Sequence, residues 1–306
     1  MKLQLSTLVL LPFIFLLSAC GTLPANNSSS SSDNRAILVL PVATAVQIDY
    51  KDEVTLLRIN QLIAEHKGDK KEKALLLYER GLIYDRMGLN AHSRYDFTQS
   101  INTYPALPGP YNSLGIYQLL SQSYDEAFDS FDSALELSEE MHFSYLHRAV
   151  GLYQVKRYSL ASSDINTFYD LDRSDPFRVL WRYVIDSKID AESALKNLQK
   201  AQSNGDNHYA WDIIDVIAGR TPESVFFADV AKGVASNKQM AERLCEAYFY
   251  LAHWHQLNGE LDKAIYYFKM ATTTNIHEFI EYKYALMELA SIQQALQKEL
   301  VEKRGQ

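Results

Sequence analysis

Disulfides, basic charge and long apolar runs are all scarce in this chain. Its two cysteines, Cys20 and Cys245, are too few for the disulfide frameworks that hold small secreted folds together. A formal charge of −8 offers no concentrated basic surface, which argues against nucleic acid as a partner. None of the twelve glycines builds a phosphate-cradling loop, and no Gly-x-Ser-x-Gly elbow marks a nucleophile. Metal-ligand spacing is missing too. In His277-Glu278-Phe279-Ile280-Glu281 a glutamate stands where a zinc-binding helix needs its second histidine. His253 and His255, two apart on a helix, point to different faces, and His142 and His147 are five apart, a poor chelating interval. No catalytic residue and no metal is expected.

The one long apolar stretch is at the start. Lys2 precedes Leu3 to Leu17, interrupted by Gln4, Ser6, Thr7 and Pro12. It is too short and broken for a comfortable membrane span but suits a signal-peptide core. It ends in Leu17-Ser18-Ala19-Cys20, which resembles the lipobox of bacterial lipoproteins. The resemblance implies cleavage before Cys20 and a covalent lipid on its thiol, the only non-protein group expected; each buried CH₂ contributes about 0.8 kcal/mol of anchoring. Gly21 replaces the aspartate that usually signals inner-membrane retention, so the implied destination is the periplasmic face of the outer membrane. Removing residues 1–19 takes Lys2 and no acid, so 29 basic residues remain against 38 acidic, a charge of −9. Cys245 is then the only unmodified thiol, and its apolar helical surroundings predict a buried packing residue.

Residues 20–35, the cysteine followed by a serine- and asparagine-rich run, read as a flexible tether reaching on the order of 20 Å. Residues 36–306 form the body. Its first segment, 36–48, holds Pro41 and a β-branched run, which favour an extended strap lying on the body or on a partner subunit. From Asp49 the pattern is helical, with Val54, Leu57, Leu62 and Ile63 on an apolar stripe that leaves Ile59 aside. Breaks at Gly68, Gly88, Pro105 to Pro110, Gly205 and Gly219 suggest about fourteen helices. Asp175-Pro176 and Thr221-Pro222 each place a capping oxygen before a proline suited to a first helical turn.

A fixed period runs through this body. Gly81, Gly115 and Ala149 are 34 apart, as are Phe97, Phe131 and Ile165, and Ser93, Ala127 and Ala161. Small residues at repeat positions eight and twenty, which let two antiparallel helices approach, resemble the tetratricopeptide repeat. Repeats are expected at 74–107, 108–141, 142–175 and, after a helical insertion at 176–244, at 245–278 with Ala264 and Phe268. The predicted fold is all-α, a tetratricopeptide-repeat array with additional non-repeat helices. Most of the twenty tyrosines, such as Tyr84, Tyr124, Tyr158 and Tyr248, fall at packing positions rather than at a saccharide-stacking surface.

Several stretches resemble the NlpI (new lipoprotein I) family of outer-membrane lipoproteins: Leu77-Tyr78-Glu79-Arg80-Gly81, Leu114-Gly115-Ile116-Tyr117, Phe131-Asp132-Ser133, Asp175-Pro176-Phe177-Arg178 and Glu281-Tyr282-Lys283-Tyr284-Ala285-Leu286. The likeness runs in order from about Ala36 to Leu289; the serine tether and the tail from Ala290 depart from it. It implies a homodimeric adaptor that holds a periplasmic tail-specific protease and brings murein endopeptidases and other wall enzymes to it. A barrel-assembly accessory lipoprotein and a cell-wall hydrolase are the alternatives.

In repeats of this kind, ligands lie on the first helix of each unit. Those positions predict a partner groove of Leu75, Tyr78, Leu82, Asp85 and Arg86, then Asn112, Ile116, Leu119 and Leu120, then Leu146, Val150, Tyr153 and Gln154, unless added helices cover some of them. Tyr78 and Leu82 occupy the places where a carboxylate clamp would need lysine and asparagine, so an apolar or mixed groove is expected.

Overall fold

A computed structural model describes residues 40–304, apart from 204 and 206. The signal segment, Cys20 and the tether lie outside the described residues, among which there are fourteen helices and no strand. No described helix is long and apolar enough to cross a membrane.

Helix α1 (Tyr50–Glu65) leads into three antiparallel pairs: α2 (Lys70–Arg86) with α3 (Asn90–Thr103), α4 (Pro108–Leu120) with α5 (Tyr124–Leu137), and α6 (His142–Gln154) with α7 (Tyr158–Leu171). Within each pair, the small residue at position eight meets the large one at position twenty-four. A Cβ added to Gly81 would stand 2.5 Å from the Phe97 ring, and one added to Gly115 would stand 2.5 Å from that of Phe131. Ala149 and Ile165 fill the same places in the third pair, both without exposed surface. The turns share a register as well. Gly88, Gln122 and Lys156, 34 apart, all adopt positive φ (72°, 61° and 62°), and Gly259 does so at the same repeat position (79°). This is a tetratricopeptide-repeat array.

A fourth pair, α12 (Asn237–Leu257) with α13 (Leu261–Thr273), packs Ala264 and Phe268 fully inside. Between the third and fourth pairs lie α8 (Pro176–Asp186), α9 (Ala191–Lys200), α10 (Ala210–Ile217) and α11 (Glu223–Asp229). The first helices α4, α6, α8 and α10 begin at 108, 142, 176 and 210, so the 34-residue step persists through residues whose side chains no longer follow the repeat pattern. Asp175 caps α8, accepting from the Phe177 amide at 2.8 Å, with Pro176 in its first turn. Thr221 does not cap α11. Pro222 is itself extended (ψ 140°) and occupies the cap, so the helix starts one residue later than the sequence suggests.

The stripe on α1 also needs correction. Ile59 is the residue α1 buries, while Val54, Leu57 and Leu62 are exposed, because α1 ends the stack and packs chiefly on α2. The strap lies on the same chain: the Val46 amide donates to the Thr274 carbonyl at 2.9 Å, Thr44 exchanges two hydrogen bonds with the Asn237 side chain, and the Tyr248 hydroxyl donates to the Pro41 carbonyl. The last helix, α14 (Ile280–Arg304), turns back over the repeats. Trp181, Phe249, Tyr250 and Tyr284 join α8, α12 and α14 in an aromatic cluster with ring centres 5.2–5.9 Å apart.

Candidate partner-binding face

The first helices of the repeats present an inner face, and α14 lies across it. Lys283 Nζ donates to Asp85 Oδ2 at 2.9 Å, Tyr284 Oη lies 2.8 Å from His147 Nδ1, and Gln154 Nε2 donates to Glu288 Oε1 at 2.6 Å. These links join residues far apart in the chain and seal the helix onto repeats one and three. Burial pushes the His147 imidazole down to about 3, so the ring is neutral at pH 7. Burial likewise pushes the Glu288 carboxyl up to about 7, against the hydrogen bond from Gln154 and the charge of Lys188.

The thirteen predicted groove residues therefore do not line one open groove. Leu119, Leu146, Val150 and Tyr153 are buried, and Ile116 and Leu120 are half-buried against the core. Tyr78 packs on Phe97 with ring centres 5.7 Å apart, and Leu82 is half-buried. Asp85 holds Lys283 and accepts from the Tyr117 hydroxyl; Arg86 reaches Asp52 of α1 at 2.7 Å; Asn112 accepts from Ser144 at 2.9 Å. Leu75 stays exposed, and Gln154 is engaged with α14. The physical reason is that α14 takes up Asp85 and Gln154, α1 takes up Arg86, and neighbouring repeat residues take up Tyr78, Asn112 and the buried apolar positions.

Two openings remain beside α14. One, of about 460 Å³, runs along its middle; Tyr124, Tyr153 and Tyr158 wall it, and Lys156, Lys188 and Lys298 line it. Lys188 sits 5.7 Å from the Tyr153 ring centre, and burial lowers its pKa against the pull of Glu288. The other, of about 390 Å³, lies at the first turn of α14; it is walled by aromatic rings and carries carboxylates instead of lysines. Leu146 belongs to the second opening, and Tyr153 and Gln154 to the first. Phe143, 54% exposed on α6, was not among the predicted positions. It occupies position two of the third repeat, the register of Leu75 in the first, and that shared register was the signal available for it.

The other candidate residues take structural places. His253 is buried between the rings of Phe249 and Phe268, whereas His255 lies between Glu223 and Glu260 at 2.9 and 2.7 Å, so the two do face apart. Among the described residues, no group of three or more His, Cys, Asp or Glu is placed to hold a metal. Cys245 is fully buried, and desolvation drives its thiol above the usual range. Sequence reasoning missed Glu223. Burial would raise its carboxyl, but hydrogen bonds from His255, Lys263 and Tyr267 hold it down to about 2, tying α11 to α12 and α13.

No known family profile matches the chain. Among solved structures, a tetratricopeptide repeat protein from Parabacteroides merdae is similar over 79% of this chain and 94% of its own, with 13% identity and a TM-score of 0.49. YrrB, a TPR protein described as having an unusual peptide-binding site, aligns over 76% and 98% with 13% identity and a TM-score of 0.41. Yeast Tom70 aligns over 84% and 62% with 16% identity and a TM-score of 0.39. The repeat assignment stands on the four helix pairs and their shared register.

Proposed function

We propose that the chain is a non-catalytic scaffold, lipid-anchored through Cys20 at the periplasmic face of the outer membrane, that holds two kinds of protein at once. The observation that carries this reading is the pair of openings beside α14, one lined with lysines and one with carboxylates, which suit partners of different chemistry. The resemblance to the NlpI family supplies the partners: a tail-specific protease and the peptidoglycan endopeptidases brought to it, through which wall hydrolysis and division are regulated. The same resemblance implies a homodimer. Tyr50, Val54 and Leu57, 74, 45 and 72% exposed along one face of α1, give it an apolar surface to use.

Affinity capture from detergent-solubilised envelope, read by mass spectrometry, tests the partners. The expected result is co-recovery of a protease and wall endopeptidases; recovery of barrel-insertion components in their place would replace this reading with an assembly role. Labelled palmitate tests the anchor. The parent chain should incorporate it and Cys20→Ser should remain unlabelled precursor, whereas equal labelling would refute the anchor.

A further inference from the structure

The opening at the first turn of α14 has a composition that points to its ligand. Phe143, Phe168, Phe177, Trp181 and Phe279 supply rings, Asp175, Glu246, Glu278 and Glu281 supply carboxylates, and no lysine, arginine or histidine lines it. Two of these acids are already paired. Asp175 caps α8 and stands 3.5 Å from Arg178, and Glu278 stands 3.4 Å from Lys238. Glu281, only 6% exposed, accepts from the Tyr250 hydroxyl at 2.9 Å and from Trp181, and it feels the charge of Lys283, whose ammonium is bound to Asp85. Glu246 has neither a hydrogen-bond donor nor a cation in contact among the described residues, and the charge that acts on it is that of Glu281. Burial drives both carboxyls upward, and the charge of Glu281 drives Glu246 further.

Such a pair is relieved by a retained proton or by an incoming cation, and the walls favour the cation. Aromatic faces attract ammonium and guanidinium groups, and one of these rings, Phe168, already carries the Arg178 guanidinium 4.0 Å above it. A cavity of about 390 Å³ falls within the range of small-ligand sites, about 300–1,000 Å³. Exposed Phe143 offers the entering group an apolar wall suited to a methylene stem. Phe143 and Leu146 stand at repeat positions two and five, on the face from which hairpin repeats meet polypeptides.

We propose that this cavity receives one lysine or arginine side chain of a protein partner, its stem against the rings and its charge between Glu246 and Glu281. The inference rests on the scaffold reading and adds to it the chemistry of one docking point. A free diamine presents the same ammonium on an apolar stem, so the test must separate the two sources.

The full lipidated chain in detergent micelles is titrated with doubly capped Gly-Lys-Gly and Gly-Arg-Gly, with the norleucine and citrulline counterparts, and with cadaverine, followed by calorimetry and tryptophan fluorescence. The capped cationic peptides should saturate in the millimolar range, the neutral ones should bind at least tenfold more weakly, and Glu246→Gln should lose the same factor while melting no lower than the parent. Phe143→Ala, a change at the exposed wall, should weaken binding without altering the fold. Equal binding of norleucine and lysine peptides would overturn the proposal, as would Glu246→Gln binding like the parent. Saturation by cadaverine alone would assign the cavity to a free amine and overturn the partner side chain. Envelope capture with the same variant keeps the two readings apart. Partners lost with Glu246→Gln support both; partners retained undiminished leave the scaffold standing and overturn this docking point; no partners with either chain, despite peptide binding, removes the scaffold reading and with it the partner side chain.

Discussion

The first three repeats and the C-terminal half solve the same packing problem with different chemistry. In repeats one and three an arginine at position seven makes a forked pair with an aspartate at position twenty-three: Arg80 with Asp96 at 2.6 and 2.7 Å, and Arg148 with Asp164 at 2.7 and 2.6 Å. Repeat two has Leu114 and Ser130 there, and the serine turns to Gln118 at 2.7 Å. From α8 onward, aromatic rings replace these clamps, and the buried polar groups belong to no period. His147, His253, Glu281 and Glu288 are all nearly inaccessible where the C-terminal helices cover the stack. Repetition gives repeats one and three a clamp between their own two helices, with Arg80 also reaching Asn60 of α1 and Arg148 reaching Asp132 of repeat two, whereas the covering layer depends on contacts between distant segments.

Acid separates the two regions most strongly. Burial depresses His147 and His253 to about 3, below the ordinary 6.5 of the unfolded chain. The unfolded state therefore takes up protons that the fold cannot, so their contribution is complete above pH 6.5 and is lost as pH falls towards 3, by about 1.4 kcal/mol per unit for each ring. Glu223, held at about 2, adds a loss between about 4.5 and 2; Glu288, raised to about 7, and Glu246 and Glu281, also raised by burial, work the other way and gain as pH falls to about 4.5. Below about pH 4.5 the carboxyl gains are complete while the histidine and Glu223 losses continue, so hydrogen exchange between pH 4.5 and 3 should show protection in α12 and α14 falling faster than in α2 to α5. Uniform opening would erase the distinction.

Within the repeats, removing one partner of a clamp should exceed removing a neutral hydrogen bond. The Asp96 side chain is 1% exposed, so Asp96→Ala leaves the Arg80 charge stranded and should cost roughly 3–5 kcal/mol, against about 1 kcal/mol for Ser130→Ala in the clampless repeat. Chemical denaturation of the two variants checks the contrast, and equal losses would show that the clamps contribute nothing special.

The same contrast explains what could be read from the sequence. The 34-residue recurrence of Gly81, Gly115 and Ala149 announced the helix pairs because each meets its aromatic or aliphatic partner sixteen residues away. The Arg80–Asp96 and Arg148–Asp164 clamps carry an equally regular signal, 68 residues apart, at charged rather than small or aromatic positions and absent from the repeat between them. The covering helix was different. Nothing in periodicity links Asp85 to Lys283 or His147 to Tyr284, separations of 198 and 137, so groove positions correct for an uncovered array became interior surface. The cavity at α14 was invisible for the same reason, since its walls come from five helices.

Overpacking probes the two regions with one kind of change. Gly115→Leu drives a side chain into Phe131, and Ala264→Leu drives one into the fully buried fourth pair; each should cost roughly 1–3 kcal/mol in thermal melts followed by circular dichroism. Parent-like melting of either would dissolve the register assigned to its repeat. The smallest expected effect is a gain. Gln122 and Lys156 hold the left-handed turn that Gly88 and Gly259 occupy without a side-chain penalty, so Gln122→Gly and Lys156→Gly should each add about 0.5–1 kcal/mol, and a loss would mean that their side chains matter more than their backbone.

On the proposed function, the molecule brings two partners together without cutting either. Degradation of a purified wall endopeptidase by a tail-specific protease, measured against increasing amounts of the whole chain in micelles, tests it most directly. A scaffold raises the local concentration of substrate near protease, so the rate should rise and then fall once separate copies hold the two apart. An endopeptidase degraded at the same rate with and without the chain would contradict the account.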